Sequence, residues 1–177
     1  MQIRNALPSD AAAIANLHAL NWRLGYRGML SDDYLDHEVL AERMAVWQER
    51  MQADDAEQYV VVAEEDGRLL GFACAYGDAD AEWGSYLDNL HVDPDFKGRN
   101  IGVKLMAEVA AWCRNTHPGR GLFLWVLEEN RQARRFYDRM GGVKADEEMW
   151  SPPGGGNVPT LRYVWRDVDI LLQRAAQ

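Results

Sequence analysis

Apolar positions recur along the chain in two rhythms, and each rhythm predicts a different kind of element. Residues 2–6 are a short first strand candidate, residues 59–63 are a β-branched run, and residues 69–76 and 86–92 are largely apolar runs of strand character. Glu65-Asp66-Gly67 between the second and third runs is a hairpin signal. The continuous apolar run Leu122–Leu127 predicts a strand covered on both faces. Residues 143–150 and 160–166 are two further strand candidates, separated by Pro152-Pro153-Gly154-Gly155-Gly156. That connection is too long for a tight hairpin, and the composition leaves open a loose link or a flap over a site.

Helical spacing appears four times. Ile14, Leu17 and Leu24 form a stripe after Pro8-Ser9-Asp10, and Leu40, Met44, Trp47 and Met51 form another after the capping signal Ser31-Asp32-Asp33. Ile101, Leu105, Val109 and Trp112 make a third. Ala133, Phe136, Tyr137 and Met140 make a fourth, ended by Gly141-Gly142. Residues 77–84 read as an acidic loop. The order β-α-α-β-β-β-α-β-α-β-β implies one mixed sheet with helices on both faces, and no linker or repeat divides residues 1–177 into more than one domain.

Composition narrows the function classes. A net charge of −9 argues against nucleic acid as a partner. No apolar run reaches the roughly 20 residues that span a bilayer, and the N-terminus lacks a signal-peptide core, so a cytoplasmic protein away from membranes is expected. Cys74 and Cys113 stand singly in apolar segments and His18, His37, His91 and His117 are scattered, so no metal site and no cysteine nucleophile is expected.

The stretch 86–105 carries the most chemistry. A strand ends at Asp93-Pro94, a basic loop with Lys97, Gly98 and Arg99 follows, and a helix opens near residues 100–102. Free N–H groups at a helix start, the helix dipole and nearby cations together favour a phosphate group. An ordinary strand-to-helix connection has the same outline. Trp22 and Tyr26 lie four apart, broken by Gly25 and Gly28, and read either as core or as the wall of a substrate site.

Two stretches resemble the GNAT superfamily of N-acetyltransferases. Residues 90–102, Leu-His-Val-Asp-Pro-Asp-Phe-Lys-Gly-Arg-Asn-Ile-Gly, are similar to its acetyl-CoA pyrophosphate loop, with Lys97 and Asn100 where the family usually has Arg or Gln and Gly. Residues 129–142 are similar to its Asn-x-x-Ala-x-x-Phe-Tyr helix. The resemblance covers nearly the whole chain. It implies an α/β (α+β) fold with a mostly antiparallel sheet of about seven strands, splayed between the fourth and fifth.

It also implies acetyl-CoA as co-substrate, held by Leu90, His91, Val92, Lys97, Gly98, Arg99, Asn100, Ile101, Gly102, Val103, Asn130, Ala133 and Phe136. In that frame the backbone of residues 90–92 lies along pantetheine and polarises the thioester carbonyl. Asn130 is also a plain helix cap, and Tyr137 is either the acid that protonates the leaving thiolate or a buried ring. An ammonium acceptor must lose a proton, and Asp88, then Glu82, are the candidate bases, acidic-loop solvation being the alternative for Glu82. The expected reaction is acetylation of a primary amine. Trp22, Tyr26 and the acidic balance favour a small cationic one. A protein N-terminus or lysine as acceptor, a non-catalytic acyl-CoA-binding module and a homodimer are left open.

Overall fold

The computed structural model describes all 177 residues. In chain order its elements are β1 (Gln2–Asn5), α1 (Ala11–Gly25), α2 (Val39–Gln52), β2 (Gln58–Glu65), β3 (Arg68–Asp80), β4 (Gly84–Val92), α3 (Ile101–Thr116), β5 (Leu122–Leu127), α4 (Arg131–Arg139), β6 (Val143–Trp150), β7 (Val158–Trp165) and α5 (Val168–Ala175). The strands form one seven-stranded sheet in the order β1-β2-β3-β4-β5-β7-β6. Every neighbouring pair is antiparallel except β4 and β5, which run parallel. The predicted fold class and the splay between the fourth and fifth strands are both present.

Period-2 alternation divides the core between the two faces of the sheet. Val60, Val62, Phe72 and Cys74 pack against Ile14, Ala15 and Leu17 of α1 and Trp47 of α2. Val61, Ala63, Ala73 and Ala75 point the other way, into a larger cluster with Ile101, Leu105, Val109 and Cys113 of α3, Tyr137 and Met140 of α4, and Leu171 of α5. Gly71 sits beneath α3. A Cβ there would lie 3.0 Å from Leu105 Cδ1 and 2.9 Å from the His91 carbonyl, so the missing side chain lets the helix lie close on the sheet. Cys74 and Cys113 are fully buried thiols, and burial pushes the Cys74 thiol up to about 12.

Three expectations need correction. Residues 77–80 are not loop: β3 runs on to Asp80, because Asp80 still pairs with Gly84 across a tight acidic turn. The second helix does not begin cleanly at its cap, since a π-helical turn over Tyr34–Glu38 precedes α2. The chain also does not end in a strand, because α5 follows β7. Asp167 caps that helix by accepting from the Asp169 N–H, and Val168 and Leu171 bury its inner edge against α3. In the Pro/Gly-rich connection between β6 and β7, Gly154, at φ +86°, lies against Tyr34 of the π-helical turn.

Candidate active site

The site begins where two parallel strands separate. Gly84 and Gly121 face each other at the start of β4 and β5, so closely that a Cβ on Gly84 would meet the Gly121 carbonyl at 2.3 Å. The strands pair there only at Ser85–Leu122 and Tyr86–Phe123. Beyond that, β5 keeps its ladder with β7 as far as Leu127–Thr160, while β4 keeps its ladder with β3 as far as Val92. The edge of β4 from Leu87 to Val92 that faces β5 is therefore left without a strand partner. Buried backbone groups need a partner, so this edge calls for water or a ligand. Opposite the gap, Leu87 pairs with Ala75 and Asn89 with Cys74, which makes Asp88 the extra residue of a β-bulge at the parting point.

A cleft of about 1120 Å³ opens along this gap. At one end stands the loop before α3. Gly98 has φ +82°, and Asn100 is left-handed at φ 57° and ψ 21° immediately before the first helical residue. Asparagine enters that region more readily than other non-glycine residues, which suits it to this turn. The first N–H groups of α3 have no intrahelical partner. Lys97, Gly98, Asn100, Ile101, Gly102 and Val103 all line the cleft, and so do Leu90, His91 and Val92. Arg99 does not; its guanidinium turns away to Glu65 at 2.9 Å.

The fourth helix supplies the facing wall. Asn130 caps it by accepting from the Ala133 N–H at 3.1 Å, and still borders the cleft with Ala133, Phe136 and Tyr137. Arg135 and Arg139 add two cations from the same helix that the motif reading did not single out. Neither they nor Lys97 form an ion pair, so a protein of net charge −9 gathers unpaired cations at this end of the cleft. The Tyr137 ring is buried against Tyr163 and Trp165. Burial raises its pKa, so the phenol keeps its proton at neutral pH.

The other candidates are distributed unequally. Asp88 lines the cleft, its Oδ2 accepting from Arg50 Nη1 at 2.6 Å. Glu82 does not reach it: it stands on the exposed turn between β3 and β4, 3.9 Å from Arg166, beside a small separate hollow formed with Trp83 and Arg120. The His91 side chain packs 5.2 Å from Phe72 and 4.6 Å from His18, and burial among these rings holds it down to about 3. His18 accepts from Trp47 Nε1 at 3.0 Å and is likewise held neutral by burial. Trp22 and Tyr26 both border the cleft, yet Trp22 is only 6% exposed, with the Arg43 guanidinium 4.7 Å above its ring. The pair is therefore packed into the core on one side and borders the cleft on the other.

Arg43 and Arg50 themselves were missed. A signal was present, since residues 43, 47 and 50 recur at i, i+4 and i+7 and so share the apolar edge of α2. Two arginines on a core-facing stripe need a polar destination.

Known proteins share this fold. Residues 17–142 match the acetyltransferase (GNAT) family. A probable N-acetyltransferase of Mycobacterium tuberculosis is 27% identical over 165 residues, covering 92% of either chain. Among solved structures, the PaiA N-acetyltransferase of Thermoplasma acidophilum, determined in complex with coenzyme A, superposes with a TM-score of 0.73 at 17% identity, over 93% of this chain and 98% of that one. The YncA protein of Salmonella typhimurium, determined with acetyl-CoA, gives 0.65 at 20% identity over 93% of this chain and 92% of that one. With its split sheet, its glycine-bearing loop before α3 and a family match across most of its length, this chain belongs to the GNAT family of acetyltransferases.

Proposed function

We propose that the protein moves the acetyl group of acetyl-CoA to a small primary amine by direct attack in a ternary complex. The observation that carries this reading is the unpaired edge of β4. It opens beside a cation-lined helix start at one end and beside Tyr137 and Asp88 at the other. The pyrophosphate would rest on the N–H groups of residues 98–103 near Lys97, and Arg135 and Arg139 would meet the remaining phosphate charge. That the Thermoplasma and Salmonella proteins were determined with coenzyme A and acetyl-CoA supports this placement.

Pantetheine would take the edge of β4 as a substitute strand, with backbone N–H groups of residues 90–92 donating to the thioester oxygen as it gains charge. Asp88, directly or through a water, accepts the proton that the ammonium must lose. The amine nitrogen then bonds to the carbonyl carbon, the C–S bond breaks and the sulfur takes its proton from Tyr137, while the second proton that the acylated nitrogen must shed returns to the phenolate and restores the phenol. The products are an acetamide and free CoA. No cysteine enters the scheme, since both thiols are buried.

A CoA-release screen with acetyl-CoA against a library of primary amines tests the reading, with turnover of at least one amine expected. Tight acetyl-CoA binding without release on any amine would sink it and leave an acyl-CoA-binding module. The loop assignment makes its own prediction. Asn100→Gly should keep or tighten acetyl-CoA affinity, whereas Asn100→Val should weaken it about 5- to 30-fold, because a β-branched residue pays about 1–2 kcal/mol to stay left-handed. Calorimetric titration of the three proteins decides it, and equal affinities for Val and Gly would show that the loop does not hold the ligand.

A further inference from the structure

The acceptor half of the cleft is dipolar, and its positive groups come from α2. Arg43 and Arg50 lie seven residues apart on one face, about 10 Å along the helix axis. Both line the cleft together with Asn21, Tyr26, Asp88 and Glu148. Arg43 is 8% exposed, and Glu42 accepts from its Nε and Nη2. Glu42 in turn accepts from the Tyr34 hydroxyl at 3.1 Å and does not itself line the cleft. The Nη1 of Arg43 makes no hydrogen bond within the protein. Arg50 is held by Asp88 and, at 3.1 Å, by Asn89 through Nη1 alone, leaving Nε and Nη2 unused.

These guanidinia change what the pocket selects. The Trp22 ring carries Arg43 at 4.7 Å, so the face that would have attracted a substrate cation already has one. His18 and His91, beside Arg43, are neutral and add no negative charge. A polycationic amine would meet two arginines and only two carboxylates, Asp88 and Glu148, one of them already paired. A zwitterion fits better: its ammonium faces Asp88 and its anion faces the unused N–H groups of Arg43. Each guanidinium is already partly neutralised by a carboxylate, so a monoanion matches the remaining donor capacity.

We infer that the acceptor is an amine that also carries a carboxylate, an amino acid or a similar amino carboxylate, and that Arg43 binds that carboxylate and sets the specificity. This rests on the transferase reading above, and it reverses the expectation of a purely cationic acceptor.

The experiment uses matched pairs: α- and ω-amino acids, each beside its carboxamide, with acetyl-CoA and CoA release as readout, alongside simple alkylamines and diamines. For the acids that react, kcat/KM should exceed that of the matching amide about 10- to 10²-fold, the range for a hydrogen bond to a charged group. The difference should lie mainly in KM. Arg43→Gln should erase the preference while leaving acetyl-CoA affinity unchanged, and Arg43→Lys should restore part of it. The wild-type comparison stands even if the buried Arg43→Gln protein fails to fold. Amides used as well as acids, or no acid used while other amines are, would overturn the inference and leave the transferase reading intact. No turnover of any amine would overturn both.

Discussion

Tyr137→Phe is expected to lower kcat about 10²-fold while the melting temperature and acetyl-CoA affinity stay at their wild-type values. The ring is buried against Tyr163 and Trp165, and phenylalanine keeps those contacts. The hydroxyl makes no hydrogen bond within the protein, so removing it leaves no partner unsatisfied. What disappears, in the proposed reaction, is the proton for the departing sulfur. Positioned acids contribute about 10²–10⁴-fold, and a thiol is a good leaving group, which places the loss at the low end. Because burial raises the pKa of this phenol, it remains protonated across the working range, and the defect should not shrink between pH 6 and 9. Steady-state kinetics with a pre-steady-state burst check separates chemistry from product release. An unchanged kcat with chemistry rate-limiting would make Tyr137 a packing residue.

The second large effect is expected at Asp88, whose replacement by asparagine should cost about 10²-fold or more in kcat/KM for the amine at neutral pH. The substitution is close to isosteric, and the amide oxygen can still accept from Arg50, so the bulge and the ion-pair partner stay in place. The variant cannot take the ammonium proton. Its remaining activity depends on acceptor that arrives already neutral, a fraction that grows about tenfold per pH unit below an amine pKa near 10. The deficit relative to wild type should therefore narrow steadily as the pH is raised from 7 to 9.5. A pH-independent deficit of the same size would indicate that Asp88 only positions Arg50. Little loss at any pH would remove it from the reaction, and Glu82, on the exposed turn outside the cleft, offers no substitute.

Much of this protein is local in origin, and that part was legible in the chain itself. The order of strands and helices follows from the two apolar rhythms, and the run Leu122–Leu127 appears unaltered as β5 because nothing but apolar side chains suits a strand covered on both faces. The left-handed Asn100 and the cap at Asn130 are also local, since each is a backbone conformation fixed by its own residue and immediate neighbours. The family motifs lie on those same short stretches, so their cofactor-side residues, Arg99 apart, fall together on one cleft.

Residue types alone could not say where distant groups meet. Asp88 and Glu82 are both carboxylates close to one strand, yet the bulge of β4 turns one into the cleft and the β3–β4 turn leaves the other outside. Trp22 offers an aromatic face in sequence, and only the packing of α2 beside α1 lays Arg43 over it. That contact depends on two helices docking on one side of the sheet, and it changes the charge at the wall of the cleft. Net composition does not show where charge lies: folding brought arginines of α2 and α4 to the walls of the cleft in a chain of net charge −9. The fold, the family and the loop before α3 were thus readable from short stretches of chain. Which side chains meet at the cleft followed only from tertiary packing, because electrostatic complementarity is a property of positions in space.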